Sequence, residues 1–407
     1  MKEFNADSPL RDSGPEAWGW QPELHAHWNE SCSKGSTLVP ARIMAREHHR
    51  YELVIPDFRG RAELPDYLPR MVQGATTSGR FSYEAHDSAD YPVVGDWALV
   101  DPLEEIPRIQ QLLPRLTSLV RGRAGTKTEE QVLLANIDII LLVFALDGGR
   151  NFLSRLLERA LVVARSSASA SASAMPLIVL NKADLAAAEE RDWAVAEAGR
   201  IAPGVPVIAL SAHTKEGLAD LSSFLGSGQT VGMLGKSGVG KSALVNALAS
   251  GGCGSAPQAL EGAVREDDRR GRHTTSSSRI RRLESGVLLA DSPGIRELKI
   301  WDEALGNGPH RADEESALGK SFPEIADAAR QCRFGDCRHE GEPGCAVAEA
   351  LARGDISTER YLAWLELKRE ENWLASRVSE QSRMKEKAKW KEISKFQKAL
   401  KKERFRR

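Results

Sequence analysis

The sequence predicts a multidomain chain: a small N-terminal β-barrel, a central α/β layer on a largely parallel sheet, and a mainly α-helical C-terminal domain that holds a metal. Three observations predict it. Short alternating apolar segments broken by turn residues occupy 38–117. Continuous apolar runs alternate with helical stretches through 118–303. Three cysteines and a histidine crowd together within the helical sequence of 304–380. Residues 1–37 read as an irregular extension with scattered Trp18, Trp20 and Trp28, and 381–407 as a basic tail.

In the barrel, Leu38–Ile43, Tyr51–Ile55, Phe81–Ala85 and Trp97–Val100 are the candidate strands, separated by Asp57, Gly60, Gly79, Pro92 and Gly95. Several short strands in so few residues suit an OB-type barrel first and an SH3-like barrel second. From Asn136 the rhythm changes. Ile137–Leu146, Leu177–Leu180, Val205–Leu210 and Val231–Leu234 are continuous apolar runs, and Phe152–Ala164 has helical periodicity. Ser166–Ala174 is a Ser/Ala repeat that reads as a flexible insertion. After Leu305 the sequence is helical again, and Ile356–Arg407 is mostly so.

The net charge is -1, no run of about 18 apolar residues spans a membrane, and no apolar segment follows a basic start as in a secretory signal. The five cysteines are too few and too uneven for a disulfide scaffold. These features point to a cytoplasmic protein, expected to be a monomer. The balance hides an asymmetry: residues 383–407 carry twelve basic side chains against three acidic ones. Such a tail suits a polyanion such as RNA, or is a solvated helix.

The chemistry begins at residues 235–242, Gly235-Lys236-Ser237-Gly238-Val239-Gly240-Lys241-Ser242, between an apolar strand and the helical Ala243–Ala249. Strand, glycine loop and helix are the context of a phosphate loop. Glycines let the backbone amides, through Ala243, wrap phosphates, and the helix N-terminus adds its dipole. Lys241 is expected to reach the β and γ phosphates, and Ser242 to bind Mg²⁺. A plain glycine-rich turn is the competing reading.

Asn181-Lys182-Ala183-Asp184 directly follows the run Leu177–Leu180. At a strand end such a string reads guanine: the Asp184 carboxylate takes both hydrogens of the N1–H and 2-amino edge, which adenine lacks. Asn181 is expected to buttress the loops and Lys182 to lie along the base. Ser211-Ala212 ends the run Val205–Leu210 and supplies the companion loop. Asp291-Ser292-Pro293-Gly294 follows Val287–Ala290, with Asp291 toward Mg²⁺ and the Gly294 N–H toward the γ-phosphate. Such strand ends are where ligands collect in these sheets. In Arg272-His273-Thr274-Thr275, Thr275 is expected to close the Mg²⁺ shell and His273 to orient water. Cys332, Cys337, His339 and Cys345 offer four soft ligands, a closed structural zinc site of one ion per chain.

The motif order is itself informative. The base-reading strings precede the phosphate loop, whereas in ordinary GTPases they follow it, so the chain reads as a circularly permuted P-loop GTPase. Together with the barrel and the cysteine cluster, Gly95-Asp96-Trp97, Pro114-Arg115, Glu130-Gln131, Ala135-Asn136-Ile137-Asp138 and Gly271–Thr275, it resembles the small-ribosomal-subunit-dependent GTPase A family of bacteria, over about Thr37–Arg369. The resemblance implies an OB-fold N-terminal domain, GTP hydrolysis stimulated by the small (30S) subunit, contact with its rRNA, and a late role in its maturation. The extension, the Ser/Ala insertion and the basic tail depart from the family. A GTP-dependent binding switch for a protein or RNA partner, with negligible turnover, is the alternative. A P-loop ATPase is disfavoured by Asp184.

Overall fold

The computed structural model describes residues 14–31, 36–58, 67–85, 87–122, 130–148, 154–167, 172–250, 278–291 and 316–373. The chain divides into two compact units, one of residues 1–120 with 131–298 and one of 121–130 with 299–407.

The first unit begins with a feature that the expected irregular extension did not include. Pro15–Trp18 forms a 3-10 turn and Pro22–Ser31 a helix, α1. Proline opens both, where its missing N–H costs nothing and its fixed φ suits the first turn. Their tryptophans anchor them. Trp20 makes edge-on contacts with Trp28, Phe58 and Trp97, and all four rings are buried.

Strands β1 (Val39–Glu47), β2 (Arg50–Ile55) and β3 (Arg70–Thr77) form an antiparallel meander. Strand β4 (Trp97–Val100) pairs with β1, and the short β5 (Arg108–Ile109) and β6 (Gln111–Leu112) pair with β3 and β4 respectively. The pairings run β5-β3-β2-β1-β4-β6, with β3 and β5 parallel, and because only Gln110 separates β5 from β6 in the chain the ring is completed by backbone continuity and not by a strand pairing. Phe81–Ala85, expected as a strand, is instead helical: α2 spans Gly79–Glu84. Ser78 caps it, its Oγ accepting from Phe81 N at 3.2 Å. The alternation of Phe81 and Tyr83 imitates a strand, but Tyr83 is 87% exposed and packs in no core.

Strands β7 (Ser118–Gly122) and β8 (Glu130–Ala135) form a separate two-stranded sheet. The α/β layer uses β9 (Ile139–Ala145), β10 (Met175–Asn181), β11 (Val207–Ala209), β12 (Thr230–Leu234), β13 (Arg279–Arg282) and β14 (Leu288–Asp291). Their order is β11-β10-β9-β12-β14-β13, parallel except that β13 runs antiparallel to β14. Helices α3 (Ser154–Arg165), α4 (Ala188–Ile201), α5 (Leu218–Ser223) and α6 (Lys241–Ala249) connect or follow these strands. All of β9 and β12 is buried, as a parallel sheet covered on both faces requires.

Ring and sheet are continuous, because β1 pairs with β13 at Ala45↔Arg279. A buried polar junction reinforces the seam. Arg42 donates to Gly19 O, Asn136 O and Thr230 Oγ1 and lies over the Trp97 ring. Asp138 accepts from Thr230 N and Gln21 Nε2. Burial pulls the Arg42 guanidinium down to about 10, with Asp138 and Asp96 opposing that loss. Arg115 grips Asp96 through Nε and Nη2, and Asn136 donates to Gly95 O. A Cβ at Gly95 would sit 2.1 Å from Ala135 O, so this position takes glycine.

The second unit contains α7 (Ala317–Ser321), α8 (Pro323–Arg330), α9 (Ala346–Arg353) and α10, helical over 358–373. Arg360 of α10 ties three pieces together: it pairs with Glu324, donates to Ser321 O and lies over Phe322. Among the described residues no helix is long and apolar enough to cross a membrane.

The extension is therefore expected to be part of the folded unit. Trp20→Ala should lower its stability by about 3–5 kcal/mol, the range for removing a buried Trp. Urea unfolding followed by fluorescence measures it; a change within about 0.5 kcal/mol, typical of surface substitutions, would mean the segment is only loosely attached.

Candidate functional site

The chemistry expected at strand ends converges on one edge of the sheet. The loop Gly235–Ser242 leaves β12 and enters α6, the Asn181–Asp184 string ends β10, and Ser211-Ala212 follows β11. Strand β12 lies between β9 and β14, so the glycine loop emerges from the middle of the sheet.

The loop's backbone explains its glycines. Gly238 and Gly240 have φ of 86° and 91°, the left-handed region that glycine occupies freely. At Gly235 a Cβ would lie 2.4 Å from Val143 O. Val239, 1% exposed, turns inward and fixes the loop to the core, while Lys236, Ser237, Gly238, Ser242 and Ala243 are exposed. The Lys241 ammonium donates to Gly235 O at 2.6 Å and Lys236 O at 2.8 Å, so it lies across the loop it belongs to. Exposed amides ahead of a helix N-terminus, with a lysine folded over them, form a cradle for phosphate oxygens.

Asn181 joins three loops. Its Nδ2 donates to Val239 O at 2.9 Å, and its Oδ1 accepts from Ala212 N at 3.0 Å. The side chain is buried, which shields the bond to Val239 O from water and partly shields that from Ala212 N. A Cβ on Gly240 would come within 2.3 Å of Asn181 Nδ2, which leaves glycine as the fit there. The backbone adds Leu146 N→Asn181 O at 2.8 Å and Ala183 N→Leu210 O at 3.1 Å. Ser211 shapes its own loop, its Oγ accepting from His213 N and Thr214 N. Asp184 is exposed, beside the buried Ala183. Lys182, at φ 62°, pairs with Asp147 at 2.8 Å. Asp147 was not among the residues singled out from the sequence; the signal was there, an acidic residue just beyond the uninterrupted apolar stretch Ile139–Leu146.

Asp291 is the last residue of β14. His273, Thr275 and Gly294 lie outside the described residues, as do residues 168–171 of the Ser/Ala repeat and the whole basic tail.

In the second unit Cys332, Cys337, His339 and Cys345 converge, with one ligand atom from each all within 4.8 Å of one another. Cys332 Sγ and Cys345 Sγ lie 3.5 and 3.6 Å from His339 Nδ1, which makes Nδ1 the ligand nitrogen. Ligands about 2.3 Å from one zinc at tetrahedral angles lie about 3.8 Å apart, so the donor set fits that ion. Burial, with Lys368 nearby, lowers His339 to about 4, which keeps its imidazole neutral as a ligand must be. Tyr361 Oη donates to His339 O at 2.7 Å, and Cys345 caps α9, its Sγ accepting from Ala348 N. Three cysteines and a histidine would leave a bound zinc no open position, the arrangement of a structural and not a catalytic site.

A family model described as RsgA GTPase matches residues 112–301. A protein of Opitutus terrae named small ribosomal subunit biogenesis GTPase RsgA is 36% identical over 88% of this chain and 90% of its own length. A Methanosarcina acetivorans protein of the same name is 38% identical over 86% of this chain and 84% of its own. Among solved structures, YjeQ from Thermotoga maritima superposes with a TM-score of 0.56 at 23% identity, covering 81% of this chain and 97% of that one. YloQ, titled a circularly permuted GTPase, gives 0.55 at 22% identity, covering 82% and 95%. These two likenesses carry the fold.

Removing one zinc ligand should unfold locally. Cys337→Ser is expected to lose the zinc and lower the melting temperature of the second unit, with nucleotide affinity changed less than two-fold. Metal analysis and calorimetry check it; a retained full zinc equivalent would contradict the four-ligand assignment.

Proposed function

The chain belongs to the RsgA GTPase family, and from that premise we propose that it hydrolyses GTP to GDP and phosphate as an assembly and maturation factor of the small ribosomal subunit, which stimulates its turnover. The observation that supports this reading most is the Asn181 carboxamide, which binds the phosphate loop and the Ser211-Ala212 loop to the base-reading string.

The residues take the following roles. The amides of residues 235–243 hold the phosphates, and Lys241 exchanges its carbonyl partners for the β and γ oxygens. Ser242 and Thr275, with Asp291, hold Mg²⁺, which neutralises phosphate charge. The Gly294 N–H meets the γ-phosphate. Asp184 accepts the N1–H and 2-amino hydrogens of guanine, and the Ala212 N–H donates to O6. Ile295 follows Gly294 where Ras-like enzymes carry a water-orienting Gln, so intrinsic turnover is slow. We assign the water-orienting role to His273. The barrel, whose ring order supports an OB-type assignment, and the basic tail contact rRNA. The protein acts as a cytoplasmic monomer. Ile295 also favours a second reading, a GTP-dependent binding switch with negligible turnover.

Multiple-turnover GTP hydrolysis with small subunits, large subunits and bare RNA tests the proposal. Small subunits should raise turnover ten-fold or more; slow turnover in all three cases would leave the switch reading. Asp184→Asn should weaken GTP and favour xanthosine triphosphate, since the Asn amide donates to a 2-oxo group; an unchanged preference for GTP would overturn the base assignment. His273→Ala should keep GTP affinity and lose about ten-fold or more of stimulated turnover, the scale of a water-positioning group. Full stimulated turnover would assign that task to a group of the ribosome.

A further inference from the structure

We propose that Asp147 is a positioning residue for guanine recognition, acting through Lys182. The proposal rests on the nucleotide reading above and adds to it a residue that never touches the ligand.

The backbone of the base-reading string is held on three sides. Leu146 N binds Asn181 O on the β9 side, Ala183 N binds Leu210 O on the β11 side, and the Asn181 side chain reaches the phosphate loop. Lys182 is the long, rotamer-rich side chain of the string, and none of these bonds fixes it. It stands in the left-handed region at φ 62°, where a residue other than glycine needs its surroundings to hold it. Asp147 does so. Two residues beyond the end of β9, it meets the Lys182 ammonium at 2.8 Å. The pair is neither deep nor open, with side chains 30% and 18% exposed.

That exposure decides what the pair is for. At this partial exposure solvent screens the attraction, so the pair's contribution to stability is modest. Its other effect is to order a side chain before a ligand arrives. Binding otherwise has to immobilise the lysine stem, at a cost equivalent to about a five- to ten-fold loss of affinity for one such side chain. With its ammonium tied to Asp147, the four-carbon stem of Lys182 is laid down in advance, ready to lie along the base. A compact ammonium on a flexible stem needs such a partner more than a planar guanidinium would. Asp147 thus sets guanine-nucleotide affinity irrespective of the phosphate count, since its effect is on the base side of the site.

The test uses the full-length chain with magnesium and measures the GDP dissociation constant, and KM and kcat for GTP with saturating small subunits. Asp147→Ala should raise the GDP constant and KM by about five- to ten-fold, with kcat within two-fold and an unchanged melting temperature. Asp147→Glu, which keeps the carboxylate, should recover most of the loss. Lys182→Ala, which also removes the stem that lies along the base, should lose at least as much, and the Asp147→Ala, Lys182→Ala double variant no more than Lys182→Ala alone, as coupled residues require. Unchanged GDP affinity in Asp147→Ala, additive losses in the double variant, or no recovery with Glu would each overturn the proposal. Should Asp147→Ala fold poorly, Asp147→Asn, which keeps shape and removes charge, carries the same expectation. Asp184→Asn measured in parallel separates the two levels. If it still prefers GTP over xanthosine triphosphate, the base assignment itself fails. If it switches while Asp147→Ala stays silent, only the role of Asp147 falls.

Discussion

One buried carboxamide constrains the strand ends at which the nucleotide site is proposed. Asn181 ends β10, yet its side chain binds the backbone of a loop that follows β12 and another that follows β11. The bond to Val239 O is buried and that from Ala212 N partly so, and loss of the side chain leaves Val239 O and Ala212 N without this partner. The neighbouring choices follow from it. Gly240 is glycine because the Asn181 amide occupies the space of a Cβ, and its φ of 91° suits no branched residue. Val239 turns its side chain into the core so that its carbonyl can face the amide. The glycine loop is therefore shaped by the base-reading strand as much as by its own sequence.

A second junction sets where those strand ends stand relative to the ring. Arg42, on β1, reaches Thr230 at the first residue of β12, the strand that carries the glycine loop. The same guanidinium binds Gly19 O of the N-terminal segment and Asn136 O ahead of β9. A buried cation is costly unless its donors are met; here two carbonyls and a hydroxyl meet Nη1 and Nη2 and the Trp97 face lies against the group, while the buried Nε has no hydrogen-bond partner among the described residues. The junction thus makes extension, ring and sheet one unit. It also accounts for Gly95-Asp96-Trp97, Arg115 and Asn136 as structural members of that seam: Asp96 is gripped by Arg115, and Asn136 binds Gly95.

What the sequence made legible was local. The Gly235–Ser242 loop, the Asn181–Asp184 string and the Cys332, Cys337, His339 and Cys345 group are runs whose members are close in the chain, and strand ends gave the first two their context. The parallel sheet was legible because its strands are apolar throughout. Features that depend on distant partners were not. Nothing near Arg42 announces that it will meet Thr230, 188 residues away. The extension read as irregular because helix α1 has no continuous apolar face; its order comes from Trp20 and Trp28 inserted among Phe58 and Trp97. Phe81–Ala85 misled because alternation on a two-turn helix looks like a strand, while β3 carries exposed and buried residues without a clean period. Asp147 was visible as an acid beyond a strand, but its meaning needed Lys182 beside it.

The central claim is that the base-reading string and the glycine loop form one site through Asn181. GDP affinity of Asn181→Ala, measured by equilibrium binding with magnesium on protein shown to be folded, tests it most directly. Losing two buried hydrogen bonds at about 1–2 kcal/mol each should weaken GDP by about 30-fold or more. GDP affinity equal to that of the unaltered chain would contradict the account, because the loops would then hold their places without the carboxamide.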